Sequence, residues 1–278
     1  MVGYDNVRVK RMGHRMAADI CFSSPNEYQR FIDYIVSKNR VNISDLRTIH
    51  RFTDKEIHPE FILRFTLSVS HVNNFNGPYL CIRKIPKSFP RIKELIEQEM
   101  MDGKTAQLLT ERFRAGSTLI CGGNASGKTT LLNALKETLP DDIAVLVIQQ
   151  TDELTTTFHP DMMFLHYDPE HISIADLTMD VDFFIIGEVR GAEALYLLNT
   201  AYTGQNCAAT IPASSADRAP DNLVDYCLRG SRYSRDELMR MLGCFHTFIF
   251  MEHYRVKEIL ACRGWSPKHG NLIYERIL

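Results

Sequence analysis

The chain has 278 residues, 45% hydrophobic and 24% charged, with 32 basic and 34 acidic side chains and a net charge of −2. This composition excludes a disordered or fibrous protein, and the near-neutral balance gives no bulk reason to expect direct nucleic-acid binding. The longest apolar runs, such as Ala144 to Ile148, reach about a quarter of the ~20 residues of a membrane span, Phe183 to Ile186 is shorter still, and no apolar h-region follows the basic start, so a cytoplasmic location is expected.

At roughly 150 residues per domain the length predicts two domains. Residues 1–100 hold 16 basic and 11 acidic side chains, residues 101–278 hold 16 and 23, which separates two modules. In the first, Ser24-Pro25-Asn26-Glu27 has the capping-box pattern, and Tyr28, Phe31, Ile32, Ile35 and Val36 continue it as an amphipathic helix. From Phe61 to Ser70 the alternation of Phe61, Leu63, Phe65, Leu67 and Val69 with a mostly polar set that includes Arg64 predicts a half-buried strand. Asn76-Gly77-Pro78 turns the chain into a second strand, Tyr79 to Ile85, which carries Arg83. The first module is therefore read as a small α+β domain over residues 1–87. Pro86 and Pro90 bracket the linker to a second domain over residues 88–278.

That second domain begins with a helix from Ile92 to Met101, a break at Gly103 and a helix ending at Gly116. Strands and helices then alternate: Ser117 to Cys121, Thr129 to Leu139, Ile143 to Gln149, Phe183 to Ile186, Ala192 to Tyr202, Ala208 to Ile211. Such alternation predicts an α/β domain with a parallel-rich sheet. A helix capped at Ser234 and strands Phe245 to Met251, Arg255 to Cys262 and Leu272 to Ile277 close the chain. Arg229, Arg232, Arg235 and Arg240, interleaved with Asp225, Asp236 and Glu237, read as a solvated helical face. The seven cysteines show no CxxC pair and are expected as reduced core thiols. His246, His253 and His269 have no metal-ligand spacing.

The segment with most chemistry is Gly122-Gly123-Asn124-Ala125-Ser126-Gly127-Lys128-Thr129, a GxxxxGK(S/T) loop between a strand and a helix, followed by Thr130. Glycines let the backbone N–H groups wrap phosphates at the positive end of the next helix, Lys128 reaches the β and γ oxygens, and Thr129 offers its hydroxyl to Mg²⁺. ATP and Mg²⁺ are the expected ligands. The strand Phe183 to Ile186 ends in Gly187-Glu188, which places Glu188 at a carboxyl end, where ligands of open α/β sheets bind and where it can reach Mg²⁺ or its water.

IIGEVRGAEAL and the run from Thr203-Gly204-Gln205 to Ser215 resemble the Walker B and His-box segments of the type II and type IV secretion ATPases. These are hexameric motors of secretion, pilus assembly and conjugation. Leu63-Arg64-Phe65 and Gly77 to Lys84 are similar to the family's arginine-bearing strands, so the resemblance spans roughly residues 7 to 260. It implies a RecA-like P-loop domain, a homo-oligomeric ring of six, and inner-membrane secretion or pilus-assembly partners at the cytoplasmic face of the membrane. It also implies that Arg64 and Arg83 face the nucleotide, that Glu188 holds the Walker B position, and that Gln205 stands where the family has its first His. Surface salt bridges are the competing reading of the two arginines. Arg190 is read as structural or at a subunit contact.

Two boxes depart from the family. Its Asp box reads like Ile-Glu-Asp-Pro-x-Glu-Leu, with the first Glu assigned to the attacking water; here Gln149 takes that place in Ile148-Gln149-Gln150-Thr151-Asp152-Glu153-Leu154. Both His-box histidines are replaced, by Gln205 and Pro212. Glu153 is the other candidate base, ~13 Å along if the chain stays extended and nearer if it turns. On this reading Gln149→Glu raises turnover. Three functions follow: a secretion-type ATPase motor with weakened hydrolysis, a nucleotide-gated ring subunit that hardly hydrolyses, and a P-loop small-molecule kinase.

Overall fold

In a computed structural model of the chain, residues 4–11, 14–43, 49–69, 77–150, 152–155, 158–166 and 180–278 are described. Ser70, Asn76 and Thr151, which belong to the strand, turn and box above, lie outside them. The chain divides into two compact units, Met1–Ser88 and Phe89–Leu278.

The first unit opens with an antiparallel ribbon, β1 (Arg8–Arg11) with β2 (His14–Ala17), and helix α1 (Pro25–Lys38). A three-stranded antiparallel sheet follows, β3 (Ile49–Asp54), β4 (Phe61–Ser68) and β5 (Tyr79–Pro86), with β4 central. Pro86 forms the last rung of β5 opposite Phe61, so the chain leaves the sheet one residue later than the strand pattern predicts. Ser24 caps α1 by accepting from Glu27 N at 3.2 Å. Glu27 closes the box one residue early, on Ser23 N and Oγ at 2.6 Å each. Tyr28, Ile32 and Ile35 of α1 share a core with Phe65, Leu67 and Leu80 of the sheet, so the 3.6 and 2 periodicities meet face to face. The far end of α1 is fastened by Asp54, which accepts from Lys38 Nζ at 2.5 Å and from Glu56 N and Ile57 N at 3.0 Å each.

The second unit is an α/β layer structure, as the alternation predicts. It comprises α2 (Ile92–Glu97), α3 (Gly103–Ala115), β6 (Thr118–Gly122), α4 (Lys128–Lys136), β7 (Val145–Gln149), β8 (Met162–His166), β9 (Phe183–Ile186) and α5 (Glu193–Tyr202). It continues with β10 (Asn206–Pro212), α6 (Ala219–Leu228), α7 (Arg235–Met241), β11 (Thr247–Glu252), β12 (Arg255–Ser266) and β13 (Asn271–Arg276). The eight strands run in the order β13-β12-β11-β6-β10-β9-β7-β8, with β11 to β8 parallel and the β12 and β13 edge antiparallel. Each central strand divides its side chains between two cores: Leu119 and Cys121, Leu146 and Ile148, Phe184 and Ile186 face one, while Ile120, Val145 and Val147, Phe183 and Ile185 face the other. Burial on both faces is why these strands read as unbroken apolar runs.

Several expectations shift. Gly103 is the first residue of α3, with Asp102 as its cap accepting from Thr105 N at 2.7 Å; the break falls earlier, where Glu99 takes a left-handed φ of 57°. β1, β2, β3, β8 and α6 were not anticipated, being short or without clean periodicity. The arginine run is not one face: Arg235 pairs with Asp221 and Asp225, Arg240 lies 4.8 Å over the Trp265 ring, and Arg229 lies over Tyr226. All seven cysteines are free, but Cys21 and Cys81 are exposed rather than in a core.

Asp54 yields a pH prediction. Burial alone would raise its pKa, but the Lys38 ion pair and the two amides outweigh burial and hold it below the ordinary 3.8. Its contribution is therefore complete above that value and lost as pH falls through the lower folded one. Asp54→Asn is expected to cost about 1–3 kcal/mol near pH 6. In urea denaturation the gap from wild type narrows towards pH 3.

Candidate nucleotide site

β6 delivers the chain to Gly122 at its carboxyl end, paired on one side with Pro212 of β10 and on the other with Met251 of β11. No side chain fits there: a Cβ on Gly122, whose φ is 149°, would lie 2.2 Å from Met251 O and 2.6 Å from Ser126 Oγ. The loop turns through a left-handed Ala125 (φ 59°) and Gly127 (φ 101°) and enters α4 at Lys128. Gly123, Asn124 and Ala125 form an exposed tip, and Thr129 and Thr130 are half-buried on the first turn.

Lys128 is buried, and its Nζ folds back to donate to Gly122 O at 3.0 Å and Gly123 O at 2.6 Å. Burial lowers its pKa; Glu188 most, and Glu153 in smaller measure, pull it the other way. Among the described residues Ser126 Oγ is buried with no hydrogen-bond partner. An orphaned hydroxyl, a backbone cradle without room for a side chain and a helix N-terminus with a lysine at its start suit a polyphosphate.

β9, separated from β6 by β10, ends in Gly187-Glu188 on the same edge of the sheet. Thr210 of β10 fixes the turn, Oγ1 donating to Gly187 O at 2.6 Å and its carbonyl accepting from Val189 N at 2.8 Å. Glu188 forms an ion pair with Arg190 at 2.7 Å, which raises the Arg190 pKa. Buried Glu193, at the start of α5, accepts from Arg190 N at 2.5 Å and Gly191 N at 2.9 Å. Thr210 and Glu193 escaped the sequence reading, although Glu193 stands in the first turn of the helix expected from Ala192.

The Asp-box segment is built differently from the expectation. The Gln149 amide brackets the Leu154 backbone, Nε2 donating to Leu154 O at 3.0 Å and Oε1 accepting from Leu154 N at 2.8 Å. Both ends of the amide are thus engaged, and Gln149 serves as a clip rather than facing an attacking water. The clip turns the chain back on itself, so the extended ~13 Å offset for Glu153 does not apply. Asn133 of α4 fixes the same loop, donating to Glu153 O at 2.8 Å and accepting from Thr155 N at 3.2 Å. Lys136, fully buried, donates to Thr155 O and pairs with Glu137.

Gln205 requires a correction. β10 runs parallel to β6 with Pro212 opposite Gly122, so Gln205, preceding β10, lies seven residues or ~23 Å back towards the amino edge. There it donates to Val181 O and lines a separate cavity of about 510 Å³ with Ser117 and His246. The carboxyl-edge rule applied to Ala208 to Ile211 places Gln205 on the wrong side from sequence alone. Pro212 is the residue beside the loop.

In the first unit Arg64 and Arg83 are direct partners across β4 and β5, and Arg51, opposite Thr66, shares their face. Arg51 was missed because β3 was not read. Among the described residues no group of three or more His, Cys, Asp or Glu side chains converges as a metal site.

A Gly-rich loop at the carboxyl end of a central parallel strand, with an acidic strand end close by, defines a RecA-like P-loop α/β fold. The chain belongs to the Type II/IV secretion system protein family, whose model matches residues 53–231. A putative conjugal transfer protein of Mycobacterium tuberculosis (strain ATCC 25618 / H37Rv) is 28% identical over 157 residues, 52% of this chain and 44% of that protein, so the chain spans under half of that relative. The fold matches the ATPase DotB of Legionella pneumophila with a TM-score of 0.61 at 17% identity, covering 99% of this chain and 74% of that one. It also matches the VirB11 ATPase from the Brucella suis type IV secretion system, in complex with sulphate, with a TM-score of 0.51 at 20% identity over 94% and 90%.

The clip changes the outcome expected for Gln149→Glu. A carboxylate keeps the bond from Leu154 N but cannot donate to Leu154 O, which leaves two buried acceptors facing each other at a cost of about 1–3 kcal/mol. Urea denaturation should register that loss, and ATP turnover should show no gain.

Proposed function

We propose that the chain is an ATP-binding and ATP-hydrolysing motor subunit of a secretion, pilus-assembly or conjugation apparatus of the type II/IV kind. It works as a homo-oligomeric ring of six on the cytoplasmic face of the membrane, beside inner-membrane partners. The observation that carries this reading is the loop from Gly122 to Thr130, with Lys128 at the start of α4 and Glu188 at the end of β9, the next strand but one to β6.

The loop amides and Lys128 hold the β and γ phosphates, for which Lys128 exchanges its bonds to Gly122 O and Gly123 O. Thr129 and Glu188 would hold Mg²⁺, which neutralises charge on the phosphates; Glu188 leaves Arg190 to do so. Glu153 is the carboxylate assigned to the attacking water, since the clip turns its loop back on β7, Asn133 of α4 holds that loop, and the clip makes Gln149 unsuited to the task. Arg64 and Arg83, facing each other across β4 and β5, are assigned to the γ-phosphate, where guanidinium groups stabilise the spreading charge.

A second reading, a ring subunit that binds ATP and hardly turns it over, is favoured by Pro212. It stands opposite Gly122 with neither a side-chain donor nor an N–H for a phosphate oxygen.

Lys128→Ala is expected to abolish nucleotide binding in calorimetry. Glu153→Gln should keep ATP affinity and lower turnover by ~10²–10⁴-fold, the usual worth of a general base. Wild-type protein that forms a ring by light scattering and retains ATP unhydrolysed would support the second reading. Turnover unmoved by Glu153→Gln would remove the base assignment.

A further inference from the structure

The turn between β11 and β12 stands against the phosphate loop. Glu252 pairs with Arg255, so His253 and Tyr254 alone connect the two strands. Both are left-handed, with φ of 48° and 60°. Two-residue connections of that kind favour Asn-Gly, because a larger side chain crowds the backbone there. Among the described residues five non-glycine residues take a positive φ, and four of them, Ala125, Glu99, His253 and Tyr254, belong to this loop or to the segments packed on it. Strain of this kind gathers where a site has to be held in shape.

The turn is tied to the loop at two points. Tyr254 N donates to Ser126 O at 3.0 Å, and Arg255 pairs with Glu99 at 2.7 Å. A Cβ on Gly127 would lie 3.2 Å from Tyr254 Cδ1 and 3.3 Å from the Cε atoms of Met100 and Met251. Both methionines are buried, whereas Tyr254 is 55% exposed. One edge of the ring therefore rests on the glycine that opens α4, and much of the ring stays open to solvent beside it. A turn that only joined two strands needs neither an aromatic ring nor the strained backbone that aims it.

Strand order decides which part of a nucleotide comes this way. β6 lies between β10 and β11, and β9, which leads to Glu188, lies beyond β10. With Glu188 at the γ-phosphate end, the triphosphate crosses the loop from the β9 side, and the sugar and base leave on the β11 side, where the turn stands. We infer that Tyr254 is the residue on which the base of the nucleotide stacks, with Met100 and Met251 packed behind Gly127 to keep the ring in place. An aromatic ring with an open face offers a base a partner for its own π-face. The ligand class this selects is a nucleoside triphosphate over a bare polyphosphate, a distinction the loop amides and Lys128 cannot make. The inference rests on the nucleotide reading of the loop and adds to it the part of the site that holds the base.

The test is calorimetry of the full chain with two magnesium-bound ligands, the β,γ-imido analogue of ATP and inorganic tripolyphosphate, which has no base. Tyr254→Ala should weaken the analogue about tenfold and leave tripolyphosphate within about twofold of wild type, while Tyr254→Phe should match wild type for both. Circular dichroism on each variant checks the fold. A measurement that needs no variant runs beside it: wild-type protein irradiated with 8-azido-ATP should carry the label within residues 253–255. Equal loss of both ligands in Tyr254→Ala would make the ring a brace for the loop and overturn the inference. Undiminished binding of the analogue, or a label found only outside the turn, overturns it as well and leaves the phosphate loop standing. Tripolyphosphate that ignores wild type, or that binds Lys128→Ala undiminished, removes the phosphate loop itself, and this inference falls with it.

Discussion

Covering the central sheet on both faces leaves its strands no surface for polar chemistry, so function has to gather where the strands end. β6, β7, β9 and β10 are apolar on both sides and parallel. Their carboxyl ends open onto one edge together, and the phosphate loop, Glu188, the Gln149 clip and Pro212 all stand there. Gly122 marks where this constraint is tightest. It lies between two neighbouring strands with a backbone oxygen where a side chain would begin, and only a glycine lets the chain turn from sheet into loop at that point.

What the sequence revealed followed from how complete each local signal was. Ser24, the pair Ser234 and Glu237, and the GxxxxGK(T) loop each combine a residue type, a spacing and a neighbouring run, and each stands where the pattern puts it; only Glu27 closes one residue early, on Ser23. Strands buried on both faces, such as Phe183–Ile186, were legible from their apolar composition. β3 and β8 were not: Ile49–Asp54 mixes charge with apolar residues, and Met162–His166 is an edge strand whose side chains are only partly covered.

Site residues divide along similar lines. Lys128 and Glu188 could be placed because their positions depend on the elements they adjoin. Gln205 was misplaced because a motif resemblance was followed over strand direction. Gln149 was misread because its partner, the backbone of Leu154, carries no signature in side-chain sequence. The box therefore looked like a catalytic position that had lost its base. In three dimensions it is a hydrogen-bonded turn, closed on Leu154, in a loop that carries another carboxylate, Glu153, and is held by Asn133.

Helix α4 touches both halves of this arrangement. Its first residue is Lys128, and Asn133 and Lys136 further along hold the loop that carries Glu153. Nine helical residues span ~13 Å and behave as a stiff rod. The phosphate loop and the carboxylate loop are thus mounted on one strut, and a tilt of the helix at its phosphate end must be answered at the other. The backbone that turns at Gly127 and the backbone that carries Glu153 therefore share one rigid support.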